Sequence, residues 1–489
     1  MFVGDLNNFT RTFSVNVEYL ADPFGFAEDF AEQIGQLEDD AEDMSLDDEE
    51  QAGQPGERLY PGCKVSAAEA STILAALAQH TSMTRESTKL LLNVIQVLLP
   101  DEAQVPTSQY LLEKSINVDM TSVKKCFFCK NCESPVVTEG DVCDTCGARI
   151  DESDMIKQGK YFLMYDVKKK LQRLLEIKEV SDDLVNNIVI RHQKRQHSNY
   201  ACDAPPFYTD IVDGNLYRKL PLEVNDFTCS INTDGVNVFK SSTFSIWPIF
   251  LSINELSYRL RRKHTLLAGL WFGKQKPSFE TFLTPFVDQC IDLSDNGFTW
   301  RLSGLDIRSR VFFVIVSADS VARAPLQGLK QFNGQFGCPF CYNPGKCYKE
   351  KGIFRKWIYP PMKVAKKRTQ EGWEADLQNL SEKLEQPGKK KMSVHGVLKS
   401  SPFILMPEFL IVDGFVVDYM HTALLGVLKT YTLMLIDSKN HKEPYYLGSL
   451  AQQKINVALL RCKVPSEVNR PTRDLKDVAY WKANEWKSW

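Results

Sequence analysis

Two pairs of cysteines constrain the fold of this 489-residue chain more than any other feature of its sequence. Cys129 and Cys132 form one C-x-x-C, and Cys143 and Cys146 form a second one after ten intervening residues. A C-x-x-C can form a tight turn that directs two thiolates at one point, and four such sulfurs are a ligand set of structural zinc. The spacing therefore predicts a zinc ribbon over residues 121–150, in which the metal supplies folding energy. A chance spacing is the alternative.

The rest of the chain indicates a reducing environment and no membrane partner. There are 13 cysteines, an odd number, and the first residues lack a basic stretch followed by an apolar one, so no signal peptide is predicted. Thiols in such a protein are metal ligands more often than disulfides. Cys126 is a spare thiol that could replace Cys129. The best apolar run, VFFVIVSA at 311–318, is far shorter than the ~18 residues of a membrane span.

Charge divides the chain into two unlike parts. Residues 28–57 carry 13 acidic side chains and no basic one, and without them the net charge of −3 becomes +10. An acidic segment beside a basic body suits an acidic partner such as nucleic acid, although charge alone favours a solvated acidic linker beside a mildly basic fold. Because residues 1–60 are rich in acidic residues and poor in large apolar ones, we expect them to be disordered.

Hydrophobic patterning predicts helices first and a layered α/β fold afterwards. Residues 61–120 have helical apolar spacing, interrupted around residues 80–85, which indicates two amphipathic helices. Residues 151–219 are a connecting region in which YFLMYDVKKKLQRLLEI predicts a strand followed by a helix. From residue 220 onwards the strand-like runs TCSINTDG, VNVFKSS, IWPIFLSINEL and RVFFVIVSAD surround a helix-like segment, which is typical of α/β folds.

The last part of the chain contains an insertion and an abrupt end. Residues 344–392 are rich in lysine and poor in apolar residues, so we interpret them as an inserted loop. FLIVDGFVVDYMH then predicts a buried strand, and TALLGVLKTYTLML predicts a helix. The sequence stops at Trp489 within another helix-like run, which we interpret as a truncation.

Two aspartates end strand-like runs in a way that suits metal-dependent phosphoryl transfer. Asp234 ends SINTD, and Asp319 ends VFFVIVSAD, the most hydrophobic run of the chain. Two acids at the ends of neighbouring strands can share divalent cations that activate water and stabilise a leaving oxygen. The alternative for each residue alone is an ordinary aspartate that ends a strand or caps a helix.

A further C-x-x-C, formed by Cys338 and Cys341, is half of a metal site. Its partner donors would have to come from elsewhere, and the plausible ones are Cys347, His395, Asp418 and His421. One such pair alone is a weak signal, and packed core cysteines are the alternative.

Several strings together resemble a known family. NTDGVNVFKSSTFSIWPIFLSINEL, SADSVARAPLQGLKQFNGQFGCPFC and VVDYMHTALLGVLK occur in this order, preceded by LLNVIQVLLPDE, VPTSQYLLEK and the cysteine segment. They resemble the transposases of CACTA (En/Spm-like) DNA transposons, above all the animal versions. The resemblance extends from about residue 65 to the C-terminus.

The resemblance implies an RNase H-like catalytic domain over residues 220–489 and a cut-and-paste reaction. Such domains carry an Asp-Asp-Glu/Asp triad on the first strand, the fourth strand and a late helix. Asp234 and Asp319 match the first two acids, and Glu485 is the candidate for the third, with Glu467 a poorer one. The triad would hold Mg²⁺ or Mn²⁺ for strand cleavage and transfer, while zinc would be structural.

The family also has a C-x-x-C after the second acid and a later Asp-x-x-His. The first is matched by Cys338 and Cys341, and the second by Asp418 and His421, so we predict a second metal or thiol cluster that joins the cysteine pair to His421.

The implied partner is double-stranded DNA, both transposon ends and target, and the implied location is the nucleus. A homo-oligomer is compatible with this reading. The basic strings KVAKKR and GKKKM could serve as nuclear localisation signals or as a solvated loop. A decayed or domesticated remnant that binds DNA or protein through its zinc ribbon without cutting is an alternative. A zinc-ribbon transcription factor would explain the acidic segment but not the strand-end aspartates.

Overall fold

The computed structural model describes most of the chain downstream of the acidic segment. The described residues are 58–80, 83, 85–108, 111–112, 123–136, 142–195, 208–237, 244–350, 353–386, 392–463 and 473–486. The prediction of disorder for residues 1–60 falls almost entirely outside this set. The chain divides into two compact units, one of residues 28–123 and 238–242, and a larger one of residues 1–27, 124–237 and 243–489.

The smaller unit contains the two predicted helices, α1 (Ala67–His80) and α2 (Arg85–Leu98). They are interrupted where the sequence indicates, around residues 80–85, which confirms that prediction. Ser66 and Glu69 form a reciprocal pair of hydrogen bonds at the start of α1, from the Ser66 backbone N–H to the Glu69 carboxylate and from the Glu69 N–H to the Ser66 hydroxyl. Such a pair satisfies two N–H groups that a helix start leaves without partners.

The larger unit is built on a mixed sheet. In chain order the described strands are β1 (Val123–Phe128), β2 (Pro135–Val136), β3 (Tyr161–Tyr165), β4 (Phe227–Thr233), β5 (Val236–Asn237), β6 (Ser245–Ile253), β7 (Leu266–Gly273), β8 (Phe298–Leu302), β9 (Leu305–Ser309), β10 (Val311–Ala318), β11 (Lys346–Glu350), β12 (Ile353–Ile358) and β13 (Phe415–Val417). Eight of them lie in the order β13-β10-β4-β6-β7-β3-β1-β2, and β5 pairs with β6. β8 with β9 and β11 with β12 form separate hairpins.

The centre of the sheet combines parallel and antiparallel pairs. β10 is parallel to both of its neighbours, β4 and β13, whereas β6 is antiparallel to β4 and β7. All seven residues of β4 are buried. A strand that is buried on both faces reads as a nearly continuous apolar run, and this is why β4, β6 and β10 were visible in the sequence.

Helices flank the sheet. They are α3 (Glu152–Lys157), α4 (Val167–Leu175), α5 (Lys178–Arg195), α6 (Asn215–Lys219), α7 (Tyr258–Lys263), α8 (Phe279–Asp295), α9 (Ser320–Leu326), α10 (Gln370–Leu384), a π-helix (Met420–Leu428) that continues as α11 (Lys429–Ile436), α12 (Ser449–Arg461) and α13 (Ala483–Trp486). Short 3-10 helices occupy Ile211–Asp213, Pro402–Leu405, Ser438–Asn440 and Leu475–Tyr480. The expected mixed α/β architecture is confirmed. Among the described residues, no helix combines the length and apolar character that crossing a membrane would require.

The lysine-rich segment 344–392 is not simply a loop. It contains the hairpin β11–β12 and helix α10, and α10 buries Trp373 and Leu380 on one face. Two apolar anchors seven residues apart suffice to fix a helix that is otherwise polar, and they are easily overlooked in a segment with so many charges. The predicted strand FLIVDGFVVDYMH is also shorter than expected, because only Phe415–Val417 pairs in the sheet.

A second, smaller core lies near the C-terminus of the larger unit. Leu424 of the π-helix is buried with Leu475, Val478, Trp481 and Trp486. The rings of the two tryptophans are 4.9 Å apart between centroids. The π-helix is therefore held in place by the last described segment of the chain.

Candidate functional site

Three aspartates follow three adjacent parallel strands at one edge of the sheet. Asp234 follows β4, Asp319 follows β10 and Asp418 follows β13. Because carboxyl ends of parallel strands meet at the same edge, the three residues form what we call the acidic row. The prediction that TCSINTDG and RVFFVIVSAD are neighbouring strands is confirmed. The catalytic role of Asp234 and Asp319 stays a prediction.

The pairing register puts Asp319 at the centre of the acidic row. Ser317 is paired with Asn232 on one side, and Ala318 is paired with Val417 on the other. Continuing both ladders to Asp319 brings it level with the other two aspartates. The Asn232 side chain donates a hydrogen bond to the Ser317 carbonyl at 3.1 Å, which ties β4 to β10 just before the row.

Local contacts hold Asp234 and Asp319 in place. Asp319 is the N-cap of α9, and its Oδ1 accepts a hydrogen bond from the Ala322 N–H at 2.5 Å. Asp234 accepts one from the N–H of Gly235 at 2.7 Å. A Cβ at Gly235 would lie 2.4 Å from ring carbons of Trp247, so only glycine allows the chain to pass this close to the indole.

Asp418 is paired with His421. Its Oδ2 lies 2.7 Å from His421 Nδ1, and its Oδ1 accepts a hydrogen bond from the His421 N–H at 3.1 Å. The hydrogen bond to Asp418 raises the pKa of His421 to about 9, assisted by the charges of Asp234 and Asp319. Burial by itself would raise the pKa of Asp418, but its hydrogen bonds and ion pair with His421 lower it. The pair is therefore ionised at neutral pH.

The acidic row has an excess of negative charge. Burial, followed by the charge of Asp319, raises the pKa of Asp234 to about 7, even though His421 acts in the opposite direction. Carboxylates held close together resist joint ionisation unless a cation is nearby. The row could therefore bind a cation that keeps all of its members charged.

Asp418 is the member of the row that sequence reasoning assigned elsewhere. The sequence suggested it as a donor to the second cysteine pair and as the aspartate of the Asp-x-x-His motif, but not as a member of the acidic row, although it ends the apolar run FVV just as the other two aspartates end theirs. That shared signal could have identified it.

Glu485, the predicted third acid, is occupied by other contacts. Its side chain is 4% exposed, and its carboxylate binds the Arg473 guanidinium at 2.5 and 3.1 Å. It also accepts a hydrogen bond from the Lys482 N–H at 2.6 Å. Its catalytic role stays a prediction, and Glu467 lies outside the described residues.

The four cysteines of the predicted ribbon converge. Their sulfurs all lie within 4.8 Å of one another, with 3.6 Å between Cys129 and Cys146 and 3.7 Å between Cys132 and Cys143. Zinc bound tetrahedrally to sulfurs at about 2.3 Å requires sulfurs about 3.8 Å apart. This cysteine cluster could therefore hold a structural metal such as zinc, as predicted.

The two turns of the cysteine cluster have the same backbone geometry. The Cys129 carbonyl accepts a hydrogen bond from the Glu133 N–H at 2.9 Å, and the Cys143 carbonyl accepts one from the Gly147 N–H at 2.7 Å. Glu133 and Gly147 follow their cysteine pairs at equivalent positions and have φ values of 59° and 69°. Glycine adopts this left-handed conformation freely, whereas Glu133 is strained by it.

The thiols differ in acidity. Hydrogen bonds from the hydroxyl and N–H of Ser134 lower the pKa of Cys132 to about 6. The Ala148 N–H lowers the pKa of Cys146, but contacts with the sulfurs of the other three cysteines outweigh it and raise that pKa to about 12. Four adjacent sulfurs do not all ionise without a cation, which is the behaviour expected of a metal-ligand set.

The cysteine cluster is anchored to the sheet. Phe128, next to Cys129, stacks on Trp271 of β7 with 4.4 Å between ring centroids. The Thr281 hydroxyl of α8 donates a hydrogen bond to the Glu133 carbonyl at 2.7 Å. A closed four-sulfur site at this position supports structure rather than catalysis. Cys126 does not belong to it and packs instead against the main core.

Cys338, Cys341 and His421 are not brought together as a three-donor group in the structure, and their role as metal ligands stays a prediction. The two sulfurs are 3.4 Å apart, but no His, Cys, Asp or Glu of the described residues completes a three-donor group with them. Cys347, His395 and Asp418 likewise form no such three-donor group with the pair in the structure. His421 binds Asp418 through Nδ1. Sequence spacing across a long insertion could not show whether these donors meet in the fold.

Comparison with known proteins gives a family. Residues 114–371 match the family described as "Protein of unknown function (DUF1258)", which is more than half of the chain. The chain belongs to this family. No curated protein matches the chain.

The region shared with the DUF1258 family contains the cysteine residues of both C-x-x-C sites and part of the acidic row. It includes the cysteine cluster, Asp234, Asp319 and the pair of Cys338 and Cys341. The segment with Asp418, His421 and Glu485 lies beyond it, so the family match covers two of the three residues of the acidic row.

Proposed function

We propose that this protein is a DNA transposase of the CACTA type, in which an RNase H-like domain cuts and joins phosphodiesters with divalent metal ions. The observation that carries the proposal is the acidic row, which aligns three aspartates on parallel strands at one sheet edge. The raised pKa of Asp234, about 7, indicates that the negative charge of the row exceeds the positive charge that His421 supplies.

The strand sequence supports the RNase H-like assignment. Counting the long strands of the central sheet from β4, strands β6 and β7 are the second and third, and β10 is the fourth. The resemblance to transposases implies acids on the first and fourth strands, and Asp234 and Asp319 follow those two strands. This agreement comes from topology and is independent of the quoted strings.

The donor set suits the proposed metal. Carboxylate oxygens are the ligands that Mg²⁺ and Mn²⁺ prefer. Asp234 and Asp319 would hold the metal, and Asp418 is the adjacent carboxylate that could join them, in place of or beside Glu485. Within the described residues the three carboxylates do not lie within 4.8 Å of one another as a group, so side-chain movement is needed for all to bind one ion. Bound Mg²⁺ or Mn²⁺ would activate water, and later a 3′-hydroxyl, for attack on phosphate.

The basic insertion supports DNA as the partner. Lys346, Lys349 and Lys356 are exposed on the hairpin β11–β12, and more exposed lysines follow at 363, 366 and 367. Such residues neutralise phosphates and make affinity depend on salt. Arg368 of KVAKKR is buried and binds backbone carbonyls, so only the lysines of that string are available to DNA or to a nuclear import receptor. Nuclear location and DNA binding are both part of the proposal.

A nicking assay tests the proposal. Full-length protein is incubated with DNA that carries the element's ends, in Mg²⁺ or Mn²⁺, and wild type is compared with Asp319→Asn. We expect the variant to lose nicking entirely, because it removes the central ligand of the row. It should fold normally or be slightly more stable, since it removes repulsion between carboxylates.

Asp306→Asn is the matched control for this assay. Asp306 is exposed on the β8–β9 hairpin, where it pairs with Arg301, and its loss should leave nicking unchanged. Persistent metal-dependent nicking by Asp319→Asn would contradict the catalytic assignment.

A remnant that binds without cutting is the second candidate. It is favoured by the contact of Glu485 with Arg473, which occupies the residue proposed as third acid. Wild-type protein that binds DNA but nicks it in neither metal would support this alternative.

A further inference from the structure

Arg323 is a buried cation that forms no ion pair in direct contact with a carboxylate of the described residues. Its side chain belongs to α9 and is 7% exposed. No carboxylate of the described residues lies within 4.0 Å of its guanidinium. Its contacts are the Val416 carbonyl at 3.5 Å and the face of Phe340, whose ring centroid is 5.0 Å away. Among other buried arginines, Arg191 pairs with Glu255, and Arg261 pairs with Asp210.

This arrangement is costly unless a ligand compensates for it. A charge removed from water needs an opposite charge or several good hydrogen bonds, and a single bond of 3.5 Å is weak. Burial lowers the pKa of Arg323, and the nearby charges of Asp319 and Asp418 act in the opposite direction without reversing the shift. The guanidinium therefore lacks an anion in direct contact, although it lies near the acidic row.

The place of Arg323 in the fold indicates where that anion would come from. Arg323 lines an open groove of about 630 Å³ together with His421, Thr422, Phe332 and Tyr431. The groove adjoins the acidic row, because His421 pairs with Asp418 and because Asp319 caps the helix of Arg323. Phe332 and Tyr431 are 52% and 60% exposed and offer aromatic faces along it.

The second cysteine pair has a position that fits this site. Phe340 lies between Cys338 and Cys341, and its ring supports the guanidinium of Arg323. Arg368 binds the carbonyl of Cys338 at 2.9 Å and so fixes the turn. The turn thus orients Arg323 without needing a metal.

We infer that Arg323 binds a phosphate of a nucleic acid strand that lies in this groove beside the acidic row. A guanidinium presents paired N–H donors that match two phosphate oxygens. Exposed aromatic rings next to it can stack on bases of an unpaired strand. The inference rests on the proposed function for the identity of the strand, whereas the need for an anion follows from the burial of Arg323.

The test uses full-length protein, a fluorescent single-stranded oligonucleotide and the corresponding duplex, with binding followed by anisotropy at low salt. Arg323→Met keeps the bulk of the side chain and removes its charge. We expect roughly 10- to 100-fold weaker binding, the range for one charge-assisted contact, and an intermediate loss for Arg323→Lys. The melting temperature should stay the same or rise, because an unpaired buried charge is gone. DNA should raise the melting temperature of Arg323→Met by less than it raises that of the wild type.

Arg261→Met is the matched control, since Arg261 is buried but paired with Asp210. Its loss should lower the melting temperature and leave the affinity of folded protein for DNA unchanged. If Arg323→Met also lowers the melting temperature and leaves the affinity for DNA unchanged, Arg323 is structural and the inference is wrong.

Two further arms separate the sources of phosphate and the two proposals. If inorganic phosphate raises the melting temperature of the wild type as much as DNA does, at equal phosphate concentration, the assignment to nucleic acid is wrong. Weakened DNA binding by Arg323→Met in a protein that shows no metal-dependent nicking would support the inference while contradicting the proposed function.

Discussion

Asp234 makes the stability of this protein depend on pH in a defined direction. Its pKa is raised from 3.8 to about 7, mainly by burial and then by the charge of Asp319. The folded protein therefore holds this proton more tightly than the unfolded chain does. In metal-free buffer, this residue should cost stability as the pH rises from about 4 to about 7.

Asp234→Asn should remove that dependence. At pH 8 in EDTA the variant should be more stable than wild type by at most about 4 kcal/mol, because the pKa of Asp234 rises from 3.8 to about 7 on folding. This difference in the free energy of unfolding should become smaller towards pH 4. Urea unfolding across this pH range measures it. Mg²⁺ should stabilise wild type at pH 8 more than the variant. Identical pH profiles for the two proteins would contradict the raised pKa.

The candidate site was partly visible in the sequence, for a physical reason. Asp234 and Asp319 each end a long apolar run, and such runs mark buried strands whose ends lie at a sheet edge. Asp418 ends a run of only three paired residues, and its place beside Asp319 depends on pairing between segments about 100 residues apart. Arg323 gave no sequence signal, because its burial and its lack of a contact ion pair exist only in the folded protein.

Among the elements, the cysteine cluster gives the most direct prediction about metal. Purified full-length protein should contain one zinc ion bound by the cluster, and Cys132→Ser should lose it, because zinc needs all four sulfurs for a closed site. The variant should also be less stable, and hydrogen exchange should rise in β1 and β2. Metal analysis and exchange measured by mass spectrometry test both points.

Cys126→Ser is the control for this prediction. Cys126 lies three residues before Cys129 but outside the cluster, so the serine variant should keep its zinc. Zinc retained by Cys132→Ser, or lost from Cys126→Ser, would show that the ligand set is different.

Elements with strong local patterns were predicted, and those that depend on partners were not. The helices α1, α2 and α4 and the strands β4, β6 and β10 correspond to clear apolar runs. β7 (LLAGLWFG) carries two glycines, which weaken a strand signal, and was not predicted. The hairpin β11–β12 is largely exposed and charged, and β8 alternates the buried Phe298 and Trp300 with exposed polar residues in a run of only five. The π-helix reads as an ordinary helix, because nine residues cannot distinguish its period from 3.6.

For the whole molecule, the division of charge is the feature that no single element reveals. Residues 28–57 carry 13 acidic side chains, and the rest of the chain has a net charge of +10. Tethered acids are a polyanion at high local concentration, and in the DNA-binding protein that we propose they would compete with DNA for the same basic surfaces. The acidic segment should therefore weaken DNA binding within the chain that carries it.

Neutralising that segment should strengthen DNA binding. A variant in which the 13 acids of residues 28–57 become Asn or Gln keeps the chain length, and we expect roughly 3- to 10-fold tighter binding at about 50 mM salt. This gain in affinity should become smaller towards about 200 mM salt, because salt screens the attraction of the basic surfaces both for the acidic segment and for DNA. Anisotropy titrations at several salt concentrations measure this. A variant that lacks the same residues is the control. If only the deletion tightens DNA binding, the segment acts through its bulk and not through its charge. If neither variant binds DNA more tightly, the acidic segment does not reach the basic surfaces that bind DNA.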